Sequence, residues 1–114
     1  MTFRNDELPL LEANLRDFCD RLDNPDFIDK VRHDYRIEDQ SVIFFDVRPH
    51  WKNPKQKMET EIAKLRFFRS RGEWQLYWMR QDLKWHSYEP HSTEKGYMPL
   101  LQVIEEDEYC CFFG

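Results

Sequence analysis

The sequence predicts an α+β fold: N-terminal helices packed on an antiparallel sheet of about five strands, closed by a short C-terminal helix. Three observations carry this prediction. Over the first 34 residues apolar side chains recur every three or four positions, the pitch of a helix with one buried stripe. From Tyr35 to about residue 90 the repeat shortens to two, the alternation of strands. Helical spacing then returns around Tyr97 to Glu106, and helices, strands and a helix in that order segregate into layers around an antiparallel sheet. With 114 residues the chain has room for one domain of ordinary size. It divides into a helical segment at 1–34, a sheet at 35–90 and a C-terminal helix and tail at 91–114.

Leu11, Leu15, Phe18 and Leu22 form one stripe, widened by Leu8 and Cys19, and predict a first helix over about 7–23. Asn5 or Asp6 is placed to cap its start, and Pro9 falls in the first turn, where a missing N–H costs nothing. Asn24-Pro25-Asp26 ends that helix and predicts a short second one to about Asp34, with Phe27, Ile28 and Val31 inward. Tyr35, Ile37, Ile43, Phe45 and Val47 share a face if the Glu38-Asp39-Gln40 turn holds an odd number of residues, with a bulge. The stretch from Trp51 to Met58, with Asn53, Pro54 and several lysines, reads as an exposed loop. Ile62 to Phe68 and Glu73 to Arg80 flank Arg71-Gly72. A two-residue turn there sets Leu65 opposite Trp78, Phe67 opposite Leu76 and Arg69 opposite Trp74. The same pairing gathers Lys64, Arg66, Phe68, Gln75, Tyr77 and Met79 on the other face. A last strand over Leu83 to Tyr88 and a helix burying Leu100, Leu101 and Ile104 complete the chain.

Composition narrows the function classes. Hydrophobic residues make up 40% and charged residues 34%, too apolar for a disordered chain and too polar for a membrane protein. Three glycines leave no room for a P-loop or a G-x-G-x-x-G turn. Val42 to Phe45 is a short apolar run against the ~20 residues of a spanning helix, and Arg4, Asp6 and Glu7 interrupt any leader-like start. Three cysteines, an odd number without C-x-x-C spacing, suit reduced thiols and a cytoplasmic setting.

The net charge of −5 averages over a strong asymmetry. Residues 1–34 carry five basic and nine acidic side chains, whereas residues 48–84 carry ten basic and four acidic ones. That basic island coincides with the aromatic sheet face. Cations follow phosphates while rings stack on bases, so such a surface suits single-stranded nucleic acid. The candidate binding residues are Trp51, Lys52, Lys64, Arg66, Phe68 and Tyr77. The competing reading is a face covered by a helix or by a second copy, which would make the protein a homodimer or a protein-binding module. A pI near 5.3 weighs against high affinity for nucleic acid.

No catalytic residue, metal site or cofactor is expected. His33, His50, His86 and His91 have no partner at zinc spacing. The acids from Glu105 to Glu108 beside Cys110 and Cys111 make a thiolate scarcer, opposite to what a nucleophile requires. Asp46, Glu61 and Lys64 resemble the acid, acid and lysine set of a metal-dependent nuclease, but three-residue spacing sends Glu61 and Lys64 to opposite faces of a regular strand.

Val47-Arg48-Pro49-His50-Trp51, Ala63-Lys64, Trp74-Gln75-Leu76-Tyr77-Trp78-Met79, Asp82 through Pro90 and Cys111-Phe112-Phe113-Gly114 together form a distinctive set. From about residue 35 onward the chain resembles the bacterial domain of unknown function 3024 family. The resemblance implies a bacterial cytoplasmic protein and transfers no catalytic residue. The reading that results is a small, non-enzymatic binding module presenting a basic, aromatic sheet face.

Overall fold

A computed structural model describes residues 3–27, 30–109 and 111–112. Helix α1, Leu8–Leu22, leads to strands β1, Arg32–Glu38; β2, Ser41–Pro49; β3, Lys57–Phe68; β4, Glu73–Met79; β5, Trp85–Ser87; and β6, Thr93–Glu94. Helix α2, Met98–Glu106, follows. The six strands form one antiparallel sheet in the order β1-β2-β3-β4-β5, with β6 also paired to β4.

The apolar stripe of α1 buries Leu11, Leu15, Phe18 and Cys19, and α2 buries Leu100, Leu101 and Ile104, as their spacing requires. Both helices cover the same sheet face, where Val42, Phe44, Leu65, Trp74 and Leu76 join them in one core. Trp74 is its aromatic centre. Phe3 stacks on it at 5.6 Å, Phe67 lies at 5.0 Å and Tyr97 meets it edge-on at 5.3 Å, arrangements that favour the ring quadrupoles.

Four local expectations are corrected. Among the described residues no α-helix stands between α1 and β1: Pro25–Phe27 is a single 3-10 turn, Phe27 is 52% exposed, and β1 begins at Arg32, inside the segment assigned to helix. Too few apolar positions follow Pro25 to give a helix a buried face, and Ile28 lies outside the described residues. The start of α1 is not capped by Asn5 or Asp6. Instead the Glu7 carboxylate accepts the Arg4 N–H at 2.8 Å and the Arg69 guanidinium at 2.8 Å.

The β1–β2 turn is a two-residue one, Asp39-Gln40, with Asp39 at φ 54°. A short acidic side chain tolerates this left-handed conformation, so the tight turn closes without glycine. Ile37 therefore faces Val42, and Tyr35 faces Phe44. Ile43 and Phe45 are sent to the opposite face. The β3–β4 connection is longer than expected, with Phe68 opposite Glu73 and Gly72 at φ 59°. Trp74 pairs Phe67 and Trp78 pairs Ala63, a register moved by two residues. An even shift preserves the faces.

Candidate functional site

The face of the sheet away from the helices carries the candidate residues. Register alone aligns Arg36, Ile43, Lys64, Tyr77 and Ser87 across five strands, with Glu38, Ser41, Arg66 and Gln75 in the neighbouring row. Lys64, Arg66, Phe68 and Tyr77 are thus brought together as the alternation predicts. Ile43 and Phe45 join them, although they are only 4% and 6% exposed. Part of the cover over Phe45 is a charged side chain of the same face. The Arg36 guanidinium sits 5.3 Å above the Phe45 ring and pairs with Glu38 at 3.0 Å and Glu61 at 3.3 Å. Long cationic side chains spread their aliphatic stems over apolar surface in this way.

A β-bulge between Phe44 and Phe45 decides where Glu61 points. Ala63 pairs Phe44 but Glu61 pairs Phe45, leaving Ile62 as the extra residue and burying it in the core. Glu61 and Lys64 consequently share the open face, contrary to strict alternation. Asp46, next to Phe45 and opposite His33 and Thr60, takes the other side. The acid, acid and lysine set is therefore not assembled: Glu61 is engaged by Arg36, and Asp46 is directed away.

Two rings serve as platforms for cations. Phe68 meets two guanidinium groups, those of Arg66 at 4.8 Å and Arg71 at 4.1 Å from its ring centre, while Lys64 Nζ is 5.7 Å from the centre of Tyr77. These rings are less open to a stacking base than their sequence alternation suggested. The guanidinium planes above them take that place, since bases stack on arginine planes as well as on rings. Arg36 and Arg71 have carboxylate partners, the latter in Glu73 at 3.7 Å. Lys64 and Arg66 have none among the described residues. Both line an open groove of about 540 Å³ between the β1–β2 turn and the β3–β4 connection.

One end of that groove is fixed by a three-element clamp. Arg69, also in its wall, donates to Glu7 at 2.8 and 3.3 Å and to Gln40 Oε1 at 2.9 Å, tying α1 to both turns. The Arg69 hydrogen bonds, helped by the Arg4 N–H, hold the Glu7 carboxyl down at about 2. Arg69 is thereby neutralised, and Lys64 and Arg66 are the remaining cations of the groove, whose wall also holds Glu38 and Asp39.

Trp51 and Lys52 are not part of this groove. They sit in the loop joining β2 and β3, at the far end of the hairpin, where Pro49 pairs Lys57. Pro49 lies six positions along β2 from Ile43, the partner of Lys64, which is ~20 Å of strand. The loop is exposed, as expected, and it is ordered by its own hydrogen bonds. His50 Nδ1 accepts the N–H groups of Lys52 at 3.1 Å and Asn53 at 3.3 Å, and the His50 N–H reaches Gln56 O at 2.9 Å. Trp51 projects from it, 77% exposed, with Lys52 Nζ 4.8 Å from the ring centre. The hairpin is a protruding arm and the candidate site is two sites.

Three of the four histidines are engaged with carboxylates, His33 with Asp23 at 2.9 Å, His86 with Asp82 at 2.8 Å and His91 with Glu94 at 2.8 Å, while His50 orders its own loop. Among the described residues no group of three histidines, cysteines or acids could hold a metal ion. Burial pushes the Cys19 thiol up to about 12, which makes it inert; Cys110 lies outside the described residues. Among the described residues no helix is long and apolar enough to cross a membrane. Sequence reasoning missed Arg36, Ile43 and Phe45 as parts of the open face. An odd count at the Asp39-Gln40 turn hid them, because it placed Ile43 and Phe45 on the helix side.

No curated protein and no solved structure matches the chain. A family match nevertheless extends over almost the whole sequence, reaching past the strands into the helical first third, and by that match over residues 5–114 the chain belongs to the family described as a domain of unknown function, DUF3024.

Proposed function

We propose that the protein is a non-enzymatic binding module whose open sheet face takes single-stranded nucleic acid. The observation that carries this reading is the pair Lys64 and Arg66, cations without a carboxylate partner among the described residues, facing one groove. A chain of phosphates supplies the missing counter-charge, and the Arg66 and Arg71 planes above Phe68 offer stacking surfaces to its bases. The reading places the protein in the cytoplasm of a bacterial cell, in keeping with the odd cysteine count and the free thiol of Cys19.

Fluorescence anisotropy with a labelled oligothymidylate of about 12 nucleotides tests the proposal. At low salt binding is expected, falling by ~0.7 log units per log unit of salt for each phosphate contact. Lys64→Glu with Arg66→Glu should remove it. Absence of binding at high micromolar protein, or binding indifferent to this double change, overturns the reading.

A further inference from the structure

The arm and the helix ends carry opposite charges at the same end of the molecule. Asp23, just beyond α1, accepts the His33 N–H at 2.7 Å, and His33 pairs Asp46, three residues before Pro49. The end of α2 lies beside the end of α1, where Arg21 meets Glu105 at 3.7 Å. Between the two helices runs an open groove of about 520 Å³, lined by Met98, Pro99, Gln102, Glu105 and Glu106 with Arg21. Met98 is 49% exposed there. The carbonyl end of α2 adds to the negative field of its glutamates.

The arm is the converse surface. From residue 48 to residue 58 it has four basic side chains and no acidic one. Arg48 pairs with Asp46 at 3.3 Å, but Lys52, Lys55 and Lys57 have no carboxylate partner among the described residues. Trp51 stands out among them. A tryptophan held in water by a loop with its own hydrogen bonds is an unspent apolar contact. Strand direction carries the arm away from the helices of its own chain.

We propose that the arm of one copy docks in the α1–α2 groove of a second copy, placing Trp51 against Met98 and the arm lysines against Glu105 and Glu106. Because both patches lie at one end, a two-fold axis there lets each copy give an arm and receive one, which closes the assembly as a dimer. Methionine sulfur on an indole is a favourable contact, and the charge pairing fixes orientation. Each tryptophan buries ~150–250 Å², so two reciprocal contacts remain below the ~1,600 Å² of a standard interface. The dimer is accordingly reversible and weakened by salt. This assembly is independent of the nucleic-acid reading, which uses the other end of the sheet's open face.

Analytical ultracentrifugation of the full chain with paired charge reversals tests it. The wild type should sediment as a dimer at high micromolar protein and low salt, and as a monomer at high salt. Lys52→Glu/Lys55→Glu/Lys57→Glu alone and Glu105→Lys/Glu106→Lys alone should each be monomeric, and an equimolar mixture of the two should recover a dimer. Mixing provides the control for misfolding, because a damaged fold gives no recovery and each variant's melt is checked beforehand. Trp51→Ala should weaken the wild-type dimer roughly tenfold, and wild-type emission should shift to the blue with concentration while that of Trp51→Phe does not. A monomeric wild type, or a mixture of folded variants that stays monomeric, overturns the proposal. If the arm reversal lowers oligonucleotide affinity while the wild type is monomeric, the arm is a nucleic-acid contact and the dimer is refuted.

Discussion

The two faces of the sheet are built from the same strands and solve the burial of apolar side chains in different ways. On the helix side, Leu65 and Leu76 are fully buried under α1 and α2, in contact with other apolar groups. On the open side, Ile43 and Phe45 are almost as inaccessible, but there the Arg36 guanidinium lies over the Phe45 ring and Lys64 is the cross-strand neighbour of Ile43. Low exposure therefore does not mean equal packing. Close-packed apolar neighbours contribute dispersion and leave a cavity when one is removed, whereas a roof of flexible charged chains can settle into the space.

That contrast is broken or sharpened by mutation. The largest effect is expected at the aromatic centre: Trp74→Ala should cost ~3–5 kcal/mol in a denaturant melt, as buried aromatic truncations do. Trp78, half-buried and opposite Ala63, should lose less on the same change. Phe45→Ala on the open side should cost about 1–3 kcal/mol. A loss at Phe45 matching that at Trp74 would show that something packs on the open face and end the contrast.

A smaller, pH-dependent effect is expected at the clamp. Glu7 is held at about 2, below its ordinary 4.5, so its contribution to stability is full above pH 4.5 and lost as pH falls toward 2. Glu7→Gln should narrow the stability difference between pH 6 and pH 3, measured by urea titration. An unchanged pH slope would mean that the Arg69 contacts do not persist in solution. The smallest effect belongs to the roof itself: Lys64→Glu with Arg66→Glu should change stability by less than ~1 kcal/mol while removing nucleic-acid binding.

Much of the fold was legible because periodicity is local. The stripe Leu11, Leu15, Phe18 marks α1, and the pairing of Lys64, Arg66, Phe68 with Gln75, Tyr77 survived a register error of two because faces repeat with that period. The candidate site was legible only in part. Lys64, Arg66, Phe68 and Tyr77 lie together, but Trp51 and Lys52 are a hairpin's length away, since charge density along the chain ignores the ~3.3 Å that each strand residue adds.

The sequence by itself determined α1, α2 and the strand character from Tyr35 onward, which side of β3 and β4 is basic, and that a basic island interrupts an acidic chain, while it read the start of β1 as helix. Each of these depends on neighbours within a few residues. Tertiary structure alone decided the parity of the Asp39-Gln40 turn, the bulge at Ile62 and the meeting of α1 and α2 with the sheet. A turn of two residues rather than three exchanges the faces of Ile43 and Phe45, and one extra residue at Ile62 brings Glu61 to the side of Lys64. Small differences in backbone closure decide those outcomes, and strand pairing across the sheet, which no local pattern records, then fixes them.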